Sequence, residues 1–386
     1  MFKFLNRYLA RPLEEKTSET RKLIAMNIQG QPSWTPRNYL ALAQEGFAQN
    51  AIVYRCVRMI AEAAASVQMK SDHKAANALL RKPNAEQDYA ELLEAHFGYL
   101  LLSGNGYIEA VILDGEPREL HALRPDRMKV VPGHGGRPGG WEYGAGGRTL
   151  RFTRSAGLEL SPILHMRLFN PTNDYYGQSP LEAAAYAVDI HNAGAKWNKA
   201  LLDNAARPSG ALVLSTSHAD RLSDEQFDRL KAELANVHQG TQNAGRPMLL
   251  EGGLDWKPMS HAPADMEFLQ SRHAAAREIA LAFGVPPMLL GIPGDNTYAN
   301  YREANLAFWR QTVLPLVRKT ATALETWLNP WFEAAVSINV DEDNIPALCE
   351  DVGARWDRLS KADFLTDEEK RNLAGIDRIN GSKNNE

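Results

Sequence analysis

His261, Asp265 and His273 are the side chains here best suited to holding a divalent metal, since imidazole and carboxylate are its usual ligands. Their spacing matches no His-Glu-x-x-His arrangement, and His273 falls on a helical stripe with Leu269 and Ala276, so they read as ordinary polar positions. Gly177-Gln178-Ser179-Pro180 has the outline of a nucleophile elbow, but the second glycine is missing and Ser179 already has a use as a helix cap. The glycines between Gly133 and Gly140 lack a following Gly-Lys-Ser/Thr and open no long helix, so they read as a hairpin tip. Gly381-Ser382-Lys383 lies too near the chain end to begin a phosphate-binding helix. A hydrolase or nuclease would have to be built from Asp114, Glu116, His121 and Asp126, which stand in turns and not in a cluster. No catalytic residue, metal or cofactor is expected.

The elements that would position any site follow from composition and periodicity. A chain of 386 residues with 44% hydrophobic and 23% charged residues has enough apolar surface for a large core, and its length predicts two or three compact units. The net charge of -4 gives no basic surplus, which disfavours tight, sequence-specific DNA binding. Cys56 and Cys349 form no Cys-x-x-Cys pair, so neither a disulfide framework nor a zinc site is expected, and a reducing compartment fits. Residues 1–9 are too interrupted by charge for a signal segment, and no apolar run approaches a membrane span.

Helices are predicted over 50–69 and 89–102 from apolar residues at helical spacing. A β-rich block follows: 107–113, a turn at Asp114-Gly115, 119–123, then 128–131, 141–143, 149–152 and 163–169. Ser179, Pro180 and Glu182 form a helix start with a capping box, and that helix is predicted to reach about 206. A second alanine-rich helix is predicted over 265–283, and the small side chains of both allow close packing. Between them lie a strand at 210–214, a helix at 223–237 and a hairpin joining 248–251 to 254–257. After Pro286-Pro287 comes a loop of turn formers, then a helix capped by Asn300 with Glu303 in reach. Pro315 is predicted to kink that helix. A strand at 336–340, an acidic stretch and a last helix with a Thr366–Glu369 capping box, stopping at Gly375, complete the chain.

Several segments, in order, resemble the portal, or head-to-tail connector, proteins of tailed bacteriophages and of phage-derived gene transfer agents. They are Tyr176-Gly177-Gln178-Ser179-Pro180-Leu181, Arg207-Pro208-Ser209-Gly210, and Phe283-Gly284-Val285-Pro286-Pro287-Met288-Leu289-Leu290-Gly291. Thr297-Tyr298-Ala299-Asn300, Thr312-Val313-Leu314-Pro315 and Leu365-Thr366-Asp367-Glu368-Glu369 continue the series.

The resemblance implies an α+β portal-type fold closed into a dodecameric ring at one capsid vertex. By position, 1–35 is an N-terminal arm, 36–176 a β-rich wing, 177–206 and 263–284 two stem helices, and 207–262 an α/β clip. Residues 285–300 are then the tunnel loop, with Pro293, Gly294, Asp295, Asn296, Thr297 and Tyr298 facing DNA. Residues 301–345 hold the kinked helix and the rest of the wing, and 346–386 a short helical crown. The implied partners are further copies of the chain, double-stranded DNA passing without sequence readout, the major capsid protein, the large terminase and the head-tail adaptor. No membrane partner is implied, and the place is a virion or phage-like particle, with assembly in the host cytoplasm. Lys196 and Lys199 are either a modest basic ring inside the channel or a solvated helix face. The other reading of the whole chain is a divergent monomeric hydrolase or nuclease.

Overall fold

A computed structural model of the chain describes residues 34–133, 137–154, 160–203, 210–214, 225, 254–258, 268–294, 298–342, 345, 347–348 and 352–373. Helix α1, Tyr39–Leu42, continues through a π-helical segment, Ala43–Ala48, towards Asn50, the cap of α2, Ala51–Ser66. α2 buries Val53, Cys56, Val57, Ile60 and Ala64, one face at helical spacing. After α3, Lys74–Arg81, the partner of that face is α4, Tyr89–Ser103, through Leu92, Leu93, Phe97 and Leu100. Each such side chain, fully buried, contributes about 1.5–3 kcal/mol. A reciprocal capping box between Asp88 and Glu91 starts α4, and Gly104, at φ 73°, ends it.

Strands β2, Asn105–Leu113, and β3, Glu116–Leu123, form the expected hairpin. Asp114 and Gly115 take φ of 54° and 81°, the left-handed pair whose twist matches the strands it joins. β4, Met128–Pro132, β5, Pro138–Ala145, and β6, Arg148–Thr153, make a separate antiparallel sheet, while β7, Ile163–Arg167, pairs with the free edge of β2. Tyr107, Met128, Val130, Trp141, Ile163 and Tyr176 fill a small core shared by the two sheets.

The chain then passes through α5, Pro180–Ala183, into α6, Ala185–Asp203. Next come the antiparallel strands β8, Gly210–Leu214, and β9, Leu254–Pro258, and after them α7, Phe268–Phe283, which packs on α6. Helices α8, Tyr298–Phe308, and α9, Leu314–Leu328, are joined by a π-helical turn, Trp309–Val313. α9 places Val317, Ala321 and Leu324 in the same core as α2 and α4. Strand β10, Ile338–Val340, is followed by α10, Val352–Ser360, and α11, Asp367–Leu373. This is the α+β order expected.

Several local expectations change. The helix predicted over 50–69 stops at Ser66, because Val67 turns extended and Met69–Ser71 becomes strand β1, paired with Ile338–Val340. Helix α3 was not expected. The long helix from Ser179 is interrupted at Ala184, whose ψ of 0° ends α5 before α6 begins. Ser179 does cap, but through Leu181 N, while the Glu182 carboxyl is half-buried facing Arg37. Asn300 lies inside α8 and does not cap it, since that helix already starts at Tyr298. The predicted helix at 223–237 (Glu225 apart, which is helical), strand 248–251, Cys349 and the Gly375 stop lie outside the described residues. The Thr366–Glu369 box is present, with Thr366 N donating to the carboxylate at 2.9 Å and Glu369 N donating to Thr366 Oγ1 at 3.3 Å.

Candidate functional site

The Tyr176-Gly177-Gln178-Ser179-Pro180 segment ties the small sheets to the helices. Tyr176 Oη accepts from Val130 N at 2.9 Å. Gly177 N donates to Asn105 Oδ1 at 2.9 Å, and a Cβ at Gly177 would sit 2.1 Å from Gly104 O, so only glycine fits. Ser179 Oγ accepts from Leu181 N at 3.0 Å and donates to Leu101 O at 2.7 Å. The serine is therefore a buried clamp between α4 and α5, and not a nucleophile.

At the base of α6, Asn50 does more than cap α2. Its Oδ1 accepts from Ile52 N and Val53 N, while its Nδ2 donates to Asn192 Oδ1 at 2.9 Å and to His191 Nδ1 at 3.1 Å. Asn192 in turn donates to Glu45 O at 2.8 Å. Burial, and then the charges of Arg272 and His273, push the His191 pKa down, which suits a ring nitrogen that accepts. Sequence periodicity gave no signal for this network beyond polar residues on an otherwise apolar helix face.

α6 and α7 lie close. A Cβ at Gly194 would come within 3.0 Å of Arg272 Cγ, so the small residue sets the approach of the two helices. α7 ends in a Schellman motif: Val285 N donates to Ala280 O at 2.9 Å and Gly284 N to Leu281 O at 3.0 Å, with Gly284 at φ 68°. A one-turn helix, Pro287–Leu290, repeats the device, with Ile292 N donating to Pro287 O, Gly291 N to Met288 O, and Gly291 at φ 71°. Ile292 is then buried against Ala276 and Ala280 of α7, and Arg277 donates to Pro293 O. The loop therefore departs from a fixed point on α7.

Pro293 and Gly294 are exposed at that departure. Asp295, Asn296 and Thr297 lie outside the described residues, and Tyr298 opens α8 instead of belonging to the loop. Pro315 sits at the first turn of α9, directly after the π turn. Proline lacks an N–H and its ring crowds the carbonyl four residues back, so the ladder widens ahead of it. Within that turn Thr312 Oγ1 donates to Gly284 O at 2.6 Å. Lys196 and Lys199 are exposed, and Lys196 Nζ is 3.7 Å from Glu45 Oε2.

The residues weighed for catalysis do not converge. Glu116 faces Arg118, His121 lies 2.9 Å from Glu119, and Asp126 is paired with Arg124. His273 is half-buried on α7, and His261 and Asp265 lie outside the described residues. Among the described residues no cluster of three or more His, Cys, Asp or Glu is placed to hold a metal, and no helix is long and apolar enough to cross a membrane.

Comparison with known proteins decides the family. The model of the phage portal protein family matches residues 51–375. The chain belongs to the phage portal protein family. A protein of Rickettsia bellii (strain RML369-C) is 41% identical over 345 residues, which cover 87% of this chain and 89% of its own. A chain from the neck of a native gene transfer agent particle, solved with C12 symmetry, is 53% identical with a TM-score of 0.70, covering 90% of this portal-family chain and 96% of that one. The HK97-family portal protein of Corynebacterium diphtheriae, at 15% identity and a TM-score of 0.58, covers 82% and 99% and shares the fold.

Proposed function

We propose that the chain is the portal subunit of a gene transfer agent-like or phage particle, twelve copies of which form a ring at one capsid vertex. Double-stranded DNA passes through its centre on packaging and ejection. The observation that carries this reading is the likeness to the neck chain solved with C12 symmetry, at 53% identity over 90% of this chain. In that arrangement α6 and α7 are the stem and the β8–β9 unit belongs to the clip, which docks the large terminase and later the head-tail adaptor. The two sheets make the wing, against the major capsid protein, and α10 and α11 the crown. Assembly takes place in the host cytoplasm before the ring resides in the particle.

The physics of a conduit supports the DNA role. A ring multiplies every inward charge by its copy number, and fields reach about 8 Å at physiological salt, so a strongly basic lining would hold DNA fast. A subunit of net charge -4 avoids that. The tunnel loop would contact DNA through Pro293, Gly294, Asp295, Asn296, Thr297 and Tyr298, none of them cationic. Its root on α7, held by Ile292 and Arg277, suits a segment that must bear passing DNA without moving its base.

Electron microscopy of the purified full-length chain tests the reading. A closed ring with a central opening wide enough for a duplex supports it. A chain that stays monomeric at high concentration contradicts it.

A further inference from the structure

A cleft of about 780 Å³ opens between α9 and β7, within the size range of sites that enclose a ligand. Two periodicities build it. β7 contributes Ile163, His165 and Arg167, every second residue, and α9 contributes Lys319, Thr322, Ala323, Thr326 and Trp327 from one helical stripe. Trp141 of β5 closes the floor. The indoles of Trp141 and Trp327 are buried, and their N–H groups are engaged, the first turned to His165 Nδ1 and the second donating to Ser161 O at 2.7 Å. His165 Nε2 faces Asn105 Oδ1 at 3.0 Å, so both of its ring nitrogens are occupied. Thr322 and Thr326 donate to the carbonyls four residues back, at 3.1 and 2.8 Å, which spends their hydroxyl protons inside the helix. The depth of the cleft therefore offers apolar surface and few free donors.

The rim is cationic. Arg154, Arg167, Arg318 and Lys319 all line the cleft and are exposed, and among the described residues no Asp or Glu lines it. Arg318 holds the Glu342 carboxylate through two bonds of 2.7 Å, a fork that shows how this rim takes an acid. Lys319 Nζ donates to Arg167 O at 2.7 Å and Arg167 donates to Asp174 O, both of them neutral carbonyls. Arg154, Arg167 and Lys319 thus bring three positive charges that no carboxylate bonds among the described residues, in a subunit whose net charge is -4.

We propose that this cleft docks an acidic peptide segment of a second protein, with one aromatic or aliphatic side chain seated over Trp141 and Trp327 and flanking carboxylates on Arg154, Arg167 and Lys319. The site goes beyond the portal reading and does not depend on ring closure. Charge complementarity sets the sign of the occupant, and the aromatic floor sets its anchor. Duplex DNA is the competing polyanion. A double helix is too wide to enter a cleft of this volume, so its phosphates would touch the rim alone and leave the floor empty. A peptide supplies both the charge and the anchor.

Fluorescence anisotropy with the full-length chain tests this, using labelled short peptides of glutamate that carry one central phenylalanine, tryptophan or leucine. At least one of them is expected to bind saturably, and to bind roughly tenfold or more weakly to Arg154→Glu and to Lys319→Glu. Replacing the central residue of the peptide by serine is expected to cost a similar factor. Arg154→Glu is expected to keep the wild-type circular dichroism spectrum and thermal midpoint, since that side chain bonds nothing among the described residues, and it decides the matter if Lys319→Glu, which gives up its bond to Arg167 O, unfolds. Absence of saturable binding by all the peptides, binding that survives Arg154→Glu, or equal binding of the serine peptide would overturn the proposal. Displacement of the peptide by a short DNA duplex that itself binds Arg154→Glu more weakly would assign the rim to DNA instead. The portal reading stands under each of these results.

Discussion

Thr312 Oγ1 donates a hydrogen bond of 2.6 Å to the carbonyl of Gly284, joining the π turn ahead of Pro315 to the left-handed residue that ends α7. The two interruptions that frame the loop are thus a single device. A Cβ at Gly284 would lie 2.9 Å from that same hydroxyl oxygen.

Gly284→Ala is expected to lose about 1–2 kcal/mol from its left-handed conformation, with a further loss from the clash. Thr312→Ala is expected to cost about 1 kcal/mol for the bond. The double variant is expected to cost less than the two added together, since removing the hydroxyl makes room for the new methyl. Urea unfolding of the four proteins measures this, and strict additivity would show that the two residues are not coupled.

Ser179→Ala tests the clamp at the start of α5. A cap alone is worth about 1 kcal/mol. Because the hydroxyl also donates to Leu101 O at 2.7 Å in a buried setting, the expected loss rises to about 2 kcal/mol. Ser179→Thr keeps both bonds if the methyl is accommodated, and the difference between the variants in chemical unfolding separates hydroxyl from shape.

How much of this was legible beforehand depends on range. The Asp114-Gly115 hairpin, the Thr366–Glu369 box and the close approach of two alanine-rich helices are local or compositional, and residue types announced them. Of the β1–β10 pair only one end was legible: the strand predicted over 336–340 is present as Ile338–Val340, but its partner Met69–Ser71 is three residues long, too few for a strand period, and a helical pattern overran it. Pro315 announced an interruption, but nothing in the sequence pointed from Thr312 to Gly284. The sequence marks Asn50 as the start of a helix, whereas its amide also anchors α6. The loop residues looked like a unit from Pro293 to Tyr298, yet Tyr298 belongs to the helix that follows, because turn formers give a loop's existence better than its end.

His96 gives stability a pH dependence. Complete burial lowers its pKa from 6.5 to about 4, and its Nδ1 has no hydrogen-bond partner. The folded state therefore holds the neutral ring, while the unfolded chain binds a proton near pH 6.5. The neutral ring carries no penalty above pH 6.5; as pH falls towards 4 stability is progressively lost, and the loss reaches about 3 kcal/mol at the lower end. His96→Leu is expected to flatten that part of the profile in unfolding experiments between pH 4 and 7. An unchanged slope would show that His96 is not its source.

Shortening the loop separates its role from assembly. Deletion of residues 295–297 spares Ile292, the Arg277 contact and the first turn of α8, so rings are expected to form in wild-type yield. DNA packaging or retention in particles is expected to fall. Loss of rings instead would make the loop a structural element.

The central claim is that many copies set the Gly291–Tyr298 segment around a common axis. Cryo-electron microscopy of the assembled ring measures this directly, through the distance of Pro293 and Gly294 from that axis. The account predicts that these residues project into the narrowest part of the central opening. A ring that carries them on its outer rim would contradict it.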